Sequence, residues 1–330
     1  MSDNILSIQN LETDYSLGSG GYVKAIRSLN LDVRRGESIA LVGESGSGKS
    51  TLALSIMRLI EKPNKIASGE IIFHDKDKDI SVLKLGENGL RVFRWKKVAM
   101  IFQSAMNILN PVMRVENQFI DTFEAHNIQD DYSERINKYL TIAGLGEKVR
   151  RLYPHELSGG MKQRVSIALA LSCEPELLIA DEPTTALDVV VQREILFELK
   201  QLKNKLNLSI IFITHDLSVA SAVADRIGIF YAGRIVEIGR KEDVINRPAH
   251  PYAKLLLGSI VTLSTPRGKE LSSLEGTPPD LSKEITGCSF YERCPSHVKQ
   301  CLSYDLKPLK VGEDHYVECL RAQELLDSED

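Results

Sequence analysis

The sequence predicts an α/β fold in which a mostly parallel sheet is covered by helices on both faces. Short apolar segments suited to buried strands alternate with segments of helical periodicity, at residues 37–42, 98–102, 177–180 and 209–214. Glycines or polar side chains follow each apolar segment, at the end of the strand where α/β proteins bind their ligands. Uninterrupted apolar strands are typical of a parallel sheet that is buried on both faces.

An outer β layer is predicted beside this sheet. Residues 5–11 and 25–33 alternate apolar and polar side chains, and residues 69–73 form a third short apolar segment. Residues 75–79 are all charged and form the tip of this layer. These segments predict antiparallel strands that precede and follow the first buried strand.

A glycine-rich loop connects the buried strand at 37–42 to a helical segment that starts near residue 52. Its sequence is Gly43-Glu44-Ser45-Gly46-Ser47-Gly48-Lys49-Ser50-Thr51, which fits G-x-x-x-x-G-K-[ST] without a mismatch. The glycines let backbone N–H groups surround a phosphate, and the helix N-terminus adds positive charge. Lys49 would then reach the β- and γ-phosphates, and the Ser50 hydroxyl would hold Mg²⁺. The alternative is a strand–helix turn that binds nothing.

A helical insert follows the strand at 98–102, at whose carboxyl end Gln103 stands. Residues 114–157 carry no strand signal, whereas 115–123 and 133–143 have helical periodicity. We expect the helical subdomain to span about residues 104–172.

The insert ends in a second possible anion site. Ser158 precedes Gly159-Gly160 and an apolar helix at 161–172, so Ser158 is placed to cap that helix. A Ser-Gly-Gly turn at a helix start is a weak pattern alone. In a chain that already has a phosphate loop, it indicates a second anion-binding site.

Polar side chains also end the last two buried strands. Asp181 and Glu182 follow residues 177–180, and His215 follows residues 209–214. Asp181 is placed to hold Mg²⁺, and Glu182 to orient or deprotonate an attacking water. For His215 we favour contact with the γ-phosphate over a structural role. A helix to about residue 202 and a hairpin of residues 226–229 and 234–238 complete this part.

Together these motifs resemble the ATPase subunit of an ABC transporter, over roughly residues 5 to 240. The matching residues are the loop 43–51, Gln103, the signature Leu157-Ser158-Gly159-Gly160-Met161, Asp181-Glu182, Ala186-Leu187-Asp188 and His215. The sequence around these motifs is similar to that of the oligopeptide/dipeptide branch of the family. Two later segments are also similar to that branch, His250-Pro251-Tyr252-Ala253-Lys254-Leu255-Leu256 and Gly276-Thr277-Pro278-Pro279.

The resemblance implies a P-loop NTPase core of ABC type that hydrolyses ATP with Mg²⁺ and powers peptide import. Two subunits, identical or related, would pair head to tail and sandwich two ATP molecules, so that Ser158 and Gly160 touch the γ-phosphate bound by the partner. Two transmembrane permease subunits would carry the peptide, which an extracellular binding protein delivers. A non-transport ABC ATPase is the alternative, but those usually carry two cassettes or a long coiled coil.

The resemblance also implies residue roles. Glu182 would be the general base, His215 would hold the γ-phosphate and the water, and Gln103 would sense Mg²⁺ and signal to the membrane subunits. Asp188 would couple the two sites. The other nucleotide contacts are Gly43, Ser45, Gly46, Gly48, Lys49, Ser50 and Thr51 in the loop, and Tyr15 stacked on adenine, with Tyr22 as its competitor. A non-catalytic subunit is set aside because Glu182, Ser158 and Gly160 are intact.

Charge and hydropathy limit the partners and the location. The net charge is −4, so bulk electrostatics gives no reason to expect a nucleic-acid partner. No apolar run approaches the ~20 residues that span a bilayer, and the N-terminus lacks signal-peptide character. We expect a peripheral protein at the cytoplasmic face of the membrane, held there by its transmembrane partners.

Four cysteines mark a C-terminal extension, residues 259–330, that follows the ATPase domain at residues 1–258. Cys288, Cys294, Cys301 and Cys319 lie close together in sequence, whereas Cys173 stands alone in an apolar stretch and is expected in the core. All-cysteine ligation favours a [4Fe–4S] cluster. Zinc, which prefers closer pairs, and free or disulfide-linked cysteines are the alternatives. His297 and His315 are interpreted as surface residues.

Overall fold

The structure is a computed structural model that describes residues 3–18, 20–103, 108–185, 187–258 and 275–327. The strands are β1 (Asn4–Ser16), β2 (Tyr22–Arg34), β3 (Ser38–Val42), β4 (Lys65–His74), β5 (Asp79–Ser81), β6 (Val98–Ile101), β7 (Leu177–Asp181), β8 (Ser209–Thr214), β9 (Arg226–Tyr231), β10 (Arg234–Arg240), β11 (Leu309–Gly312) and β12 (His315–Val317). The helices are α1 (Lys49–Ile56), α2 (Glu87–Lys96), α3 (Val115–Ala125), α4 (Tyr132–Ile142), α5 (Gly159–Leu171), α6 (Val189–Leu206), α7 (Leu217–Val223), α8 (Lys241–Asn246), α9 (Pro251–Gly258) and α10 (Ala322–Asp327). None of these described helices has both the length and the apolar character that a membrane crossing requires.

The chain divides into two compact units, which are named here by the motif that each contains. The signature unit consists of Met1–Leu6, Val33–Ser38 and Ile72–Ile213, and the phosphate-loop unit of Ser7–Asp32, Ile39–Ile71 and Thr214–Asp330.

The signature unit contains three parallel strands in the order β6, β7, β8. β6 and β7 are buried along their whole length, as their apolar sequences predict. Helices α3, α4 and α5 form the predicted insert, and their apolar faces meet around Phe119, Phe123 and Tyr139, all of which are fully buried. The predicted helices at 115–123 and 133–143 are therefore confirmed to within two residues at each end.

The phosphate-loop unit has β3 parallel to β9, and β9 continues into β10 as an antiparallel hairpin. The turn of this hairpin is Ala232-Gly233, where both residues have positive φ. β2, β1 and β4 are neighbours in that order and form the predicted outer layer. Each of these strands is longer than the sequence pattern predicted, because the alternation weakens before the pairing ends.

The described C-terminal residues, 275–327, extend the strands of the phosphate-loop unit. β12 pairs antiparallel with β10, with Glu237 opposite Val317, and β11 pairs with β12. A small apolar cluster lies beneath these strands and contains Ala249, Val317, Ala322 and Leu326. β11 and β12 were not predicted, because each has four residues or fewer and is too short to show a periodic pattern.

The interpretation of His315 as a surface residue is wrong. The residue is 4% exposed, and its Nε2 lies 2.7 Å from Oε1 of the fully buried Glu237. The physical reason is that His315 opens β12, whose pairing with β10 places the ring inside the unit. The same Glu237 carboxylate accepts hydrogen bonds from the backbone N–H groups of Ala249 and His250. His297 is exposed, as expected.

Candidate functional site

The glycine-rich loop lies between the fully buried strand β3 and helix α1, as predicted. Gly43 is required by close packing, because a Cβ there would be 2.1 Å from the backbone oxygen of Phe230. Gly48 caps α1 with φ 109°, and a Cβ there would be 2.4 Å from the oxygen of Ala25. Ser45, Gly46 and Ser50 are exposed at the open side of the loop.

The Lys49 side chain points back into the phosphate loop. Its Nζ donates hydrogen bonds to the backbone oxygens of Gly43 and Glu44, both at 2.8 Å, and to Ser47 Oγ at 3.2 Å. The backbone oxygen of Ser47 in turn accepts a hydrogen bond from the Gly233 N–H at 2.8 Å, which braces the loop against the β9–β10 turn. Lys49, which is 6% exposed, the glycine N–H groups and the N-terminus of α1 form a cationic cradle suited to a polyphosphate.

The loop also makes two contacts that sequence analysis missed. The carboxylate of Glu44 accepts hydrogen bonds from Arg293 Nη1 at 2.9 Å and Nη2 at 2.8 Å. The N–H of Glu44 donates to Tyr252 Oη at 3.1 Å. No local pattern could have indicated either partner, because each lies more than 200 positions away in the chain.

Glu182 directly follows β7 in the signature unit. Its backbone is left-handed, with φ 46°, and its N–H donates to the Ile213 oxygen at 2.8 Å. Gln103 Nε2 and Thr185 Oγ1 both donate to Oε2 of Glu182, each at 2.9 Å. The structure thus brings Gln103 and Glu182 together, while Asp181, the last residue of β7, is 3% exposed.

The signature forms an exposed helix N-terminus. Ser158 is the N-cap of α5, as predicted, and its Oγ accepts a hydrogen bond from the Met161 N–H at 3.3 Å. Asp188 caps α6 by accepting from the N–H groups of Val190 at 3.1 Å and Val191 at 3.0 Å. The two caps are close, because a Cβ on Gly160 would be 2.9 Å from Val191 Cγ1. Ser158 and Asp188 are both exposed.

The remaining predicted residues lie in the phosphate-loop unit. His215 is exposed directly after β8, and the next residue, Asp216, caps α7. Tyr15 is half-buried near the end of β1. Tyr22 opens β2, is 41% exposed, and lies 4.4 Å from Lys65 Nζ, measured to the ring centroid. This cation–π contact occupies one face of Tyr22.

The four C-terminal cysteines line one small cavity of about 20 Å³ together with Phe290 and Tyr304; this volume holds about one water molecule. The cysteines are not paired in disulfides. Burial, together with the neighbouring thiols, raises the pKa of Cys288 to about 11 and that of Cys319 to about 12. Cysteine thiolates are the usual ligands of iron–sulfur clusters, so these four residues have the donor chemistry for one. However, no group of three or more His, Cys, Asp or Glu side chains in the described residues is arranged to hold a metal ion.

Family comparisons match two segments of the chain. Residues 26–185 match the family described as ABC transporter, and residues 236–301 match the family described as oligopeptide/dipeptide transporter, C-terminal region. The first segment contains the phosphate loop and the Asp181-Glu182 pair, and the second contains three of the four C-terminal cysteines.

Solved structures with the same fold include ATP-binding cassettes. The ATP-binding cassette MJ0796, a dimer in a post-hydrolysis state bound to ADP and Pi, has a TM-score of 0.61 and 29% identity, with 72% of this chain and 98% of that chain covered. The cbiO1 protein of Clostridium perfringens, part of the ABC transporter complex cbiONQ, has a TM-score of 0.62 and 30% identity, with 74% of this chain and 92% of that chain covered.

Similar proteins match over nearly the whole chain. The dipeptide transport ATP-binding protein DppD of Bacillus subtilis is 42% identical over 91% of this chain and 89% of its own length. The oligopeptide transport ATP-binding protein OppD of Bacillus subtilis is 42% identical over 95% of this chain and 87% of its own length. OppD of Escherichia coli is 40% identical over 92% of this chain and 89% of its own length. The chain therefore belongs to the ABC transporter family, among the ATP-binding proteins of dipeptide and oligopeptide transport.

Proposed function

We propose that the chain binds and hydrolyses ATP to power the uptake of dipeptides or oligopeptides through two transmembrane permease subunits. The observation that carries this proposal is the phosphate loop, in which buried Lys49 and the N-terminus of α1 form a preformed polyphosphate cradle. The names of the DppD and OppD relatives supply the substrate class. An extracellular peptide-binding protein would deliver the peptide, so this chain would not contact it.

The complete ATP site would be shared between two subunits that pair head to tail. The exposed N-terminus of α5 at Ser158 and Gly160 supports this, because a cap open to solvent is available to a phosphate bound elsewhere. Val189 and Val190, next to Asp188, are each 67% exposed and would be covered by a partner. The partner would be either a second copy or a related ATPase subunit.

Within this site each predicted residue receives a role. Lys49 and the loop residues Gly43, Ser45, Gly46, Gly48 and Thr51 would hold the phosphates, and Ser50, Asp181 and Gln103 would hold or sense Mg²⁺. Glu182 would act as the general base, and His215 would hold the γ-phosphate and the attacking water. Tyr15 is proposed to stack on adenine in preference to Tyr22, whose exposed ring already contacts Lys65.

We further propose that Cys288, Cys294, Cys301 and Cys319 hold a [4Fe–4S] cluster with a structural role, with zinc as the alternative. The cavity that all four cysteines line supports the proposal. Aerobic and anaerobic preparations would be compared for brown colour, iron content and absorbance near about 400 nm. A colourless protein with stoichiometric zinc would rule out the cluster.

The proposed functional division is an ATPase domain at residues 1–258, with its helical subdomain at about 104–172, and an extension at residues 259–330. The described part of that extension belongs to the phosphate-loop unit. We place the protein at the cytoplasmic face of the membrane, attached through its permease partners.

Reconstitution tests the transport function. The chain would be purified with the membrane subunits that accompany it, inserted into vesicles, and supplied with ATP on the side of the ATPase and labelled peptides on the other side. We expect ATP-dependent peptide uptake in the native complex and none with Lys49→Ala. ATP hydrolysis without co-purifying membrane subunits or peptide uptake would instead support a non-transport ABC ATPase.

A further inference from the structure

The second residue of the phosphate loop is bound by the C-terminal segment. Both terminal nitrogens of Arg293 donate to the Glu44 carboxylate, at 2.8 and 2.9 Å. The Arg293 side chain is 5% exposed and the Glu44 side chain 26% exposed. Two parallel charge-assisted hydrogen bonds of this kind are stronger and more directional than a single contact. The bridge is therefore a fixed part of the loop's surroundings rather than a transient surface ion pair.

Arg293 is held in place independently of Glu44. Its Nε donates to the backbone oxygen of Glu275 at 3.0 Å, and its Nη1 lies 3.3 Å from Tyr231 Oη. The guanidinium also lies over the Tyr231 and Phe290 rings, at 5.7 and 5.8 Å from their centroids. Arg293 therefore keeps its position through contacts other than the one with Glu44.

Glu44 links this arginine to the phosphate-binding lysine. Its carboxylate binds Arg293, while its backbone oxygen accepts a hydrogen bond from Lys49 Nζ at 2.8 Å. An unneutralised carboxylate on this loop would repel the phosphates of a nucleotide. Arg293 thus both cancels that charge and holds the peptide group that Lys49 contacts.

We propose that Arg293 is a positioning residue for ATP binding, which holds Glu44 so that the phosphate loop keeps its binding conformation. Nucleotide affinity then depends on the cysteine-containing C-terminal segment, since Arg293 directly precedes Cys294. The inference rests on the proposed role of the phosphate loop as the ATP site.

Equilibrium binding of a non-hydrolysable ATP analogue to the full chain tests the proposal. We expect Arg293→Gln to raise the Kd about tenfold, because without the guanidinium the Glu44 carboxylate is neither neutralised nor held in position beside the phosphates. Arg293→Lys should have a smaller effect, because it keeps the charge but loses the second hydrogen bond. In steady-state assays the KM for ATP should rise while kcat changes by less than about twofold, because the bridge acts on binding.

A double variant separates positioning from independent effects. Arg293→Gln combined with Glu44→Gln should bind the analogue no more weakly than Arg293→Gln alone, because both substitutions remove the same bridge. The matched control is Arg240→Gln. It also breaks an ion pair with the C-terminal segment, between Arg240 and Glu313, but this pair does not involve the phosphate loop. This control should bind the analogue like the native chain.

The outcomes distinguish this inference from the proposed function. A native Kd in Arg293→Gln, with or without a lower melting temperature, overturns the inference, as do additive effects in the double variant. If Arg293→Gln does not fold, Arg293→Lys carries the test, and a native Kd in that variant overturns the inference. If the native chain does not bind the analogue, or if Lys49→Ala binds it equally well, the ATP site itself is misassigned.

Discussion

Gln103 Nε2 donates a hydrogen bond to Glu182 Oε2 at 2.9 Å, and Thr185 Oγ1 donates to the same oxygen. Two donors on one oxygen restrict the orientation of the Glu182 carboxylate. The contact therefore connects the residue proposed to signal to the membrane subunits with the residue proposed to activate water.

Glu182→Gln should retain ATP binding but lose hydrolysis by about 10²–10⁴-fold, the usual contribution of a general base. The amide keeps an oxygen that can accept the Gln103 and Thr185 hydrogen bonds, so the local fold should survive. Size-exclusion chromatography with ATP should show a persistent dimer. Glu194→Gln, which removes a half-exposed carboxylate from α6, is the matched control. Undiminished steady-state turnover in Glu182→Gln would remove Glu182 from the base role.

The elements around the site could be predicted from the sequence because their signals are local. Apolar strands followed by Gln103 or Asp181-Glu182, and the N-cap at Ser158, are all visible within a few residues. The Arg293–Glu44 bridge and the burial of His315 could not be predicted in this way. Both depend on pairing between distant segments, and β12 is too short to carry a periodic pattern.

Gly48→Ala should destabilise the nucleotide-free protein much more than Gly46→Ala. Both glycines have positive φ, which costs an alanine about 1–2 kcal/mol. Only at Gly48 would the Cβ also meet a backbone atom, the Ala25 oxygen at 2.4 Å, whereas nothing lies within 4 Å at Gly46. Urea unfolding of the two variants measures the difference. Equal losses of unfolding free energy would show that the Ala25 contact relaxes without cost.

Cys301→Ser should greatly lower the iron content of anaerobically purified protein, whereas Cys173→Ser should not. Cys301 shares a cavity with the other three C-terminal cysteines, while Cys173 is buried in the other unit and 6% exposed. The control therefore removes a thiol without removing a proposed ligand. Iron analysis and thiol titration of both variants check this. Equal iron content in the two variants would contradict the cluster assignment.

His250 should make the protein less stable as the pH falls below about 6.5. Burial lowers the pKa of His250 from 6.5 to about 3, and its Nδ1 accepts a hydrogen bond from the Tyr252 N–H at 3.1 Å, which requires a neutral ring. Below pH 6.5 the unfolded chain takes up a proton that the folded chain does not. The unfolding free energy contributed by this group is therefore complete above pH 6.5 and is lost as the pH falls towards 3, by about 1.4 kcal/mol per pH unit.

Urea unfolding at pH 8, 6 and 5 of the native chain and of His250→Asn isolates this contribution. The asparagine Oδ1 can accept the same Tyr252 hydrogen bond but does not titrate. At pH 5 the native chain should have lost about 2 kcal/mol more unfolding free energy than the variant, relative to pH 8. All other titrating groups are common to the two proteins, so they cancel in this difference. Parallel stability curves would mean that the folded state protonates His250 as readily as the unfolded chain does.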